Sequence, residues 1–264
     1  MDSSAPLRRT AIVTGAAEGI GRSIALRLAE DGLNVAVNDL PVKREKLEAI
    51  VAEIKALPDG QAIAVPGDVS CPEDVERLVK SAVEAFGGLD VMVANAGTIT
   101  SGPFVDFALE EWDRVIAVNL RGEMLCYKYA AKQMIKQGRG GRIIGASSQT
   151  GKQGMPNLAA YSASKFAIRG LTQCTALELA KHDITVNAYA PGLIHTNMIG
   201  HDEEIRLGLK PGTLMRQMLG LPNDTALPMA EPEVIASFVS YLAKPESRFI
   251  TGQTINVNGG GHCD

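Results

Sequence analysis

Large aromatic rings are scarce in this sequence: one Trp, five Tyr and six Phe make up 5% of 264 residues, against 27 Gly. That balance fits strand–turn–helix packing better than a β-sandwich. Cysteine is sparse too. Cys71, Cys126, Cys174 and Cys263 are scattered and form no CxxC pair. They read as reduced thiols in a cytoplasmic protein, not as a disulfide frame or a zinc site. The four histidines are equally dispersed, so no metal is expected. No run approaches the roughly 18 apolar residues of a membrane-spanning helix. The opening Met1-Asp-Ser-Ser-Ala-Pro-Leu-Arg-Arg has no apolar core, so a secretory signal is not expected. Basic residues do not dominate: 26 Lys and Arg face 30 Asp and Glu, a net charge of −4. Nothing here attracts nucleic acid or an anionic membrane.

What is present is a repeating rhythm. Short apolar runs at 11–13, 35–37, 63–65, 91–93, 142–144, 184–186 and 254–257 read as buried strands. Between them lie helical patterns at 19–31, 43–57, 72–86, 110–137, 156–181 and 232–243. Ile20, Ile24 and Leu28 recur on one helical face. Pro72 followed by Glu73 and Asp74 is a helix-start pattern. The alternation predicts right-handed βαβ units and a doubly wound, Rossmann-type parallel sheet in one α/β domain, 1–264. The segment 193–230 breaks the rhythm with Pro211-Gly212, Leu221-Pro222, Pro228 and four of the nine methionines. It is read as a small substrate lid, although ordinary packing by methionine accounts for the same pattern.

The turn after the first strand, Thr14-Gly-Ala-Ala-Glu-Gly-Ile-Gly21, places Gly15, Gly19 and Gly21 before a helix start. Glycine lets backbone approach a phosphate, and free N–H groups at the helix start attract it. Asp39 ends the second strand, 18 residues after Gly21, where a carboxylate can accept from a ribose diol. It would also repel a 2′-phosphate, and Glu18 adds to that negative charge. NAD(H) is therefore expected over NADP(H). A turn carboxylate before Pro41 is the plainer account of Asp39.

Tyr161 and Lys165 stand four residues apart in a helical pattern, on one face. A nearby ammonium stabilises phenolate and would lower the phenol from its ordinary pKa of about 10. Such a tyrosine can exchange a proton with a carbinol oxygen; a surface Tyr–Lys contact is the alternative. Ser148 follows the strand ending near Ala146, at the sheet edge that faces ligands, and could hydrogen-bond a substrate oxygen. Ser147 is read as a strand-end turn residue. Gly145-Ala-Ser-Ser-Gln149 lacks the second glycine of a hydrolase nucleophile elbow.

Together with Asp68-Val69, Asn95-Ala96-Gly97, Asn119, and Pro191-Gly192 with Thr196, these motifs resemble the classical short-chain dehydrogenase/reductase family over about residues 8–261. The resemblance implies Tyr161 as acid/base, Ser148 holding the reacting oxygen, and Lys165 binding the nicotinamide ribose while lowering the Tyr161 pKa. It implies that Asn119 fixes a helix kink and a relay water. The cofactor set would be Gly15, Glu18, Gly19, Ile20, Gly21, Asp39, Asp68, Val69, Asn95, Gly97, Tyr161, Lys165, Pro191, Gly192, Ile194 and Thr196. Read alone, Asp68 could be a turn residue and Asn119 a polar group inside a helix. Within the family, 141–196 is similar to the diacetyl/acetoin reductases (butanediol dehydrogenases), including Gln149 directly after Ser148. Gln149, Met155 and Met198 are the substrate-facing candidates. The expected reaction is reduction of small ketones, diketones or hydroxyketones, or oxidation of the matching secondary alcohols. A polyol or sugar dehydrogenase, a 3-oxoacyl reductase and a non-catalytic NAD-binding protein are the alternatives. The resemblance also implies a homotetramer built on the two long helices and the last strand.

Overall fold

Residues Thr10–Thr14 form β1, every one of them buried. Its side chains alternate between two cores, as a strand's must. Ala11 and Val13 pack with Ile24 and Leu28 of α1 (Gly19–Glu30) and with Ile235, Val239 and Leu242 of α9 (Pro232–Ala243). Ile12 points the other way. It meets Val75 and Leu78 of α3 (Pro72–Phe86) and Leu125, Ala130 and Met134 of α5 (Glu123–Gln137). Each such aliphatic side chain contributes about 1.5–3 kcal/mol on burial. The strands read as continuous apolar runs because both faces of the sheet are covered.

This computed structural model describes residues 8–219, 222 and 228–264. The opening segment Met1 to Leu7, and the part of the expected lid at 220, 221 and 223–227, lie outside the described residues. The other central strands are β2 (Asn34–Asn38), β3 (Ala62–Ala64), β4 (Val91–Ala94), β5 (Gly141–Ala146), β6 (Ile184–Pro191) and β9 (Thr254–Val257). They form one seven-stranded sheet, ordered β3-β2-β1-β4-β5-β6-β9. Every pairing is parallel; Ala11 lies beside Val35 on one side and Val91 on the other. The strand order reverses between β1 and β4, and ligands bind beyond the carboxyl ends of strands at such a point.

Three helices differ from their sequence patterns. The second begins after a 3₁₀ turn, as α2 (Arg44–Lys55). The pattern 110–137 is three pieces: α4 (Leu109–Ile116), a π-helical turn over Ala117–Gly122, and α5. The long pattern at 156–181 is α6 (Ala159–Leu179), closed by a 3₁₀ turn.

The segment 193–230 does leave the βαβ rhythm. It contains β7 (Leu193–Ile194), α7 (His201–Arg206), α8 (Thr213–Leu219) and β8 (Met229–Ala230). Strands β7 and β8 pair in parallel as a separate ribbon. Glu204, buried at 2% exposure, accepts from the backbone N–H groups of Gly212 at 2.9 Å and Leu214 at 2.7 Å. That carboxylate satisfies free donors at the start of α8 and fixes the α7–α8 turn.

Candidate active site

The ends of β1 and β4 are tied together before any ligand is considered. Thr14 Oγ1 accepts from the N–H groups of Asn95 and Ala96, both at 3.0 Å. Asn95 Nδ2 donates back to Thr14 O at 2.8 Å, and Tyr189 donates to Asn95 Oδ1 at 2.8 Å. Asn95 is thus a brace between strands. Gly15 holds φ +62°, and a Cβ there would lie 2.8 Å from Ala96 Cα. A Cβ on Gly21 would stand 2.1 Å from Gly15 O, so only glycine fits where α1 starts.

Beyond this brace lies a groove of about 630 Å³. Of the sequence-derived cofactor set, it is lined by all but Gly192 and Ile194, which line an adjoining cavity of about 620 Å³. Ile20, Ile99, Tyr161, Pro191, Thr196 and Met198 border both spaces. The donor-rich start of α1, the paired carboxylates at the far end and the close backbone approach at Gly15 fit an elongated dinucleotide.

The far end is less acidic than the sequence suggests. Glu18 accepts from Lys43 at 2.8 Å and Lys46 at 2.6 Å. Partial burial works against its ionisation, but the two lysines outweigh it and hold the carboxyl below its ordinary range. Asp39 accepts from Ala17 N–H at 3.1 Å and Leu40 N–H at 2.8 Å, with Lys43 at 3.7 Å. Two lysines therefore offset the two carboxylates. Asp68 is committed to its own turn, accepting from the Ser70 N–H and hydroxyl, both at 2.8 Å, while lining the groove.

At the other end, Tyr161 and Lys165 share a face of α6 as expected. Lys165 is buried, donates to Ala146 O at 2.6 Å, and sits 5.6 Å from the centre of the Tyr161 ring. Burial pushes the Tyr161 phenol above its ordinary range, and the Ser148 hydrogen bond offsets this only in part. The expected lowering by Lys165 is therefore corrected: with the ammonium turned to Ala146 O, desolvation of the phenolate wins. Ser147, expected as a turn residue, instead donates to Lys165 O of α6 at 3.0 Å, and it is Ser148 that caps the turn, accepting from Thr150 N–H at 3.2 Å. Asn119, fully buried in the π turn, accepts from Thr98 N–H at 2.8 Å and donates to Thr98 O at 2.9 Å and Ser164 at 3.2 Å. Its side chain locks the loop after β4 against α6.

One buried acid escaped the sequence reading. Glu123 is 2% exposed, accepts from Tyr127 at 3.0 Å, and leaves Oε2 without a partner. Burial raises its carboxyl to about 7, against the opposing pull of the Lys165 ammonium. Burial lowers Lys165 in turn, and Glu123 opposes that. A Cβ on Gly145 would lie 1.9 Å from Glu123 Oε1, so this strand glycine makes room for the acid. A glycine inside an apolar strand was the available signal.

Of the substrate-facing candidates, Met155 and Met198 line the second cavity. Gln149 lines it too, but its Nε2 donates to Gly261 O at 3.3 Å and holds the C-terminal segment. Leu158, Leu193, Ile199, Met215 and Gly259–Gly261 were missed as lining residues.

A nucleotide groove at the strand-order reversal and a Ser–Tyr–Lys site at its end define a dinucleotide-dependent oxidoreductase. The sequence profile of the short chain dehydrogenase family matches residues 9–206, and the chain belongs to that family. It is 51% identical to a short-chain dehydrogenase/reductase of Armillaria gallica over 254 residues, covering 96% of this chain and 95% of that one. It is 44% identical to a 3-oxoacyl-[acyl-carrier-protein] reductase of Staphylococcus aureus over 259 residues, covering 96% and 98%. Among solved structures, an acetoin dehydrogenase from Salmonella typhimurium superposes with TM-score 0.82 at 33% identity, over 96% of this chain and 95% of that one. The family uses NAD(P)(H).

Proposed function

We propose that this chain is an NAD(H)-dependent carbonyl reductase and secondary-alcohol dehydrogenase, with Tyr161 as the acid/base. The observation that carries the reading is the position of Tyr161. It borders both the dinucleotide groove and the second cavity, with Ser148 lining that cavity beside it and Lys165 one turn on. When bound, the reduced nicotinamide supplies the hydride that reaches the carbonyl carbon. Tyr161 gives its hydroxyl proton to the carbonyl oxygen, so ketone, hydride and proton become the secondary alcohol. Ser148 holds that oxygen. The Lys165 ammonium offsets the negative charge left on the phenol when the phenol gives up its proton, and Asn119 holds the loop at Thr98 in place. In the oxidative direction the same groups run in reverse.

NAD(H) is the proposed cofactor because Asp39 and Glu18 occupy the end where a 2′-phosphate would sit. Diacetyl and acetoin are the smallest members of the proposed ketone series, supported by the resemblance over 141–196 and by the acetoin dehydrogenase likeness. The 3-oxoacyl reductase reading is supported by the Staphylococcus aureus relative, but among the described residues no cationic side chain lines the second cavity to receive a carrier phosphate. A homotetramer fits the exposed Phe166 and Leu177 on α6 and Phe249 ahead of β9. Following NADH absorbance with diacetyl, acetoin and a sugar panel tests the proposal. Oxidation of NADH by ketones supports it; turnover of sugars alone would overturn it.

A further inference from the structure

The second cavity holds more than a four-carbon diketone needs. Its volume of about 620 Å³ falls among pockets that enclose drug-sized ligands. Ile20, Pro191 and Thr196 border the dinucleotide groove as well, whereas Ser148, Met155, Leu158, Leu193, Ile199 and Met215 border this cavity alone.

The wall chemistry is as informative as the size. Met155, Leu158, Leu193, Ile199 and Met215 form an apolar flank, and among the described residues no Asp, Glu, Lys, Arg or His lines the cavity. Of the polar side chains that line it, Ser148, Thr150, Gln153, Tyr161 and Thr196 lie toward one side, and Gln149 and Asn258 are committed to the wall itself. Gln149 is bonded to Gly261 O. Asn258 donates to His262 O at 2.8 Å and accepts from Gly260 N–H at 3.1 Å. These bonds fold the segment 258–262 into a wall. Asp264 latches it, accepting from Lys152 at 2.8 Å and from Asn256 at 2.9 Å. The Ser148–Tyr161 pair is left to meet a substrate oxygen at one end.

Such a cavity discriminates by what it leaves unpaired. A polyol would lay hydroxyls without partners along the apolar flank, at a cost for each. A phosphate or carboxylate would be desolvated with no cation to meet it. An apolar body gains with each buried methylene, and the flexible methionines adapt to its shape.

Resting on the carbonyl-reductase reading, we infer that the substrates this site is built for are neutral ketones, and their secondary alcohols, with an apolar body of roughly ten to twenty carbons. Each methylene that enters the cavity multiplies kcat/KM about fourfold until the space is filled.

The test is a graded series assayed with NADH: diacetyl, acetoin, cyclohexanone, 2-decanone and 1-decalone, with fructose and acetoacetyl-coenzyme A as polar and anionic members. The expected result is a kcat/KM for 1-decalone or 2-decanone at least 100-fold above diacetyl, with both polar members at background. Highest kcat/KM for diacetyl, acetoin, fructose or acetoacetyl-coenzyme A would overturn the inference. Calorimetric binding of the matching secondary alcohols to NAD-saturated protein separates the two claims. No turnover of any compound, with alcohol affinity still rising with size, sinks the reductase reading and upholds the cavity assignment; affinity independent of size sinks the latter. Two filling variants at half-buried wall positions, Met155→Trp and Leu193→Trp, should each lower the 1-decalone to diacetyl ratio at least tenfold. An unchanged ratio in both contradicts the inference.

Discussion

The Tyr127 hydroxyl donates a 3.0 Å hydrogen bond to Glu123 Oε1 directly behind Gly145. Tyr127 also meets Thr172 of α6 at 3.2 Å. An acid, a phenol and a threonine are thus buried together against β5. The missing side chain at Gly145 is what admits them.

Gly145→Ala should therefore be costly although alanine suits a strand better than glycine. The added methyl would lie 1.9 Å from Glu123 Oε1 and 2.0 Å from the Tyr127 hydroxyl. Overpacking of this kind costs about 1–3 kcal/mol. Urea unfolding should show a loss of unfolding free energy of that size, and the double variant Gly145→Ala with Glu123→Ala should recover part of it.

Glu123→Gln tests the electrostatic link to the catalytic helix. Burial lowers the Lys165 pKa, and the Glu123 carboxylate opposes the drop. Removing the negative charge lets the lysine pKa fall further, so Lys165 loses its proton at lower pH. The alkaline limb of the kcat/KM profile should move to lower pH, while an isosteric amide keeps the packing. Infrared titration of the wild type should find a carboxyl ionising near 7, absent from the variant. An unmoved alkaline limb would limit Glu123 to a structural role.

The position of the helices, strands and main motifs was legible because each rests on local chemistry. Apolar runs mark strands buried on both faces, and the glycines at 15, 19 and 21 mark a turn that no side chain fits. What the sequence concealed depends on residues far apart in the chain. Glu18 and Lys43 are 25 positions apart, and only the fold brings them within 2.8 Å. The π turn at Ala117–Gly122 has no proline to announce it, and the helix kink expected there rested on the resemblance at Asn119 alone; it is locked by Asn119 bonding a loop 21 residues earlier. The Tyr161 pKa ran opposite to expectation because Tyr–Lys spacing conveys nothing about desolvation. The wall built by Gly259–Gly261 is invisible without the Gln149 contact that holds it.

Cofactor choice turns on the same Glu18 cluster. Wild-type protein should prefer NADH. Glu18→Gln releases Lys43 and Lys46 from their partner, and both can then turn toward a 2′-phosphate. Its kcat/KM for NADPH should rise roughly tenfold, the worth of about one charge-assisted hydrogen bond. Steady-state kinetics with both cofactors decide it; an unaltered NADPH value would mean that Asp39 alone sets the preference.

Everything proposed for the chemistry depends on the proton carried by Tyr161. The most direct measurement is kcat for Tyr161→Phe beside calorimetric binding of NADH to the same variant. General acid–base catalysis contributes about 10²–10⁴-fold, so kcat should fall by about that factor while the NADH Kd stays within about twofold. A variant that binds NADH normally and retains its kcat would contradict the account.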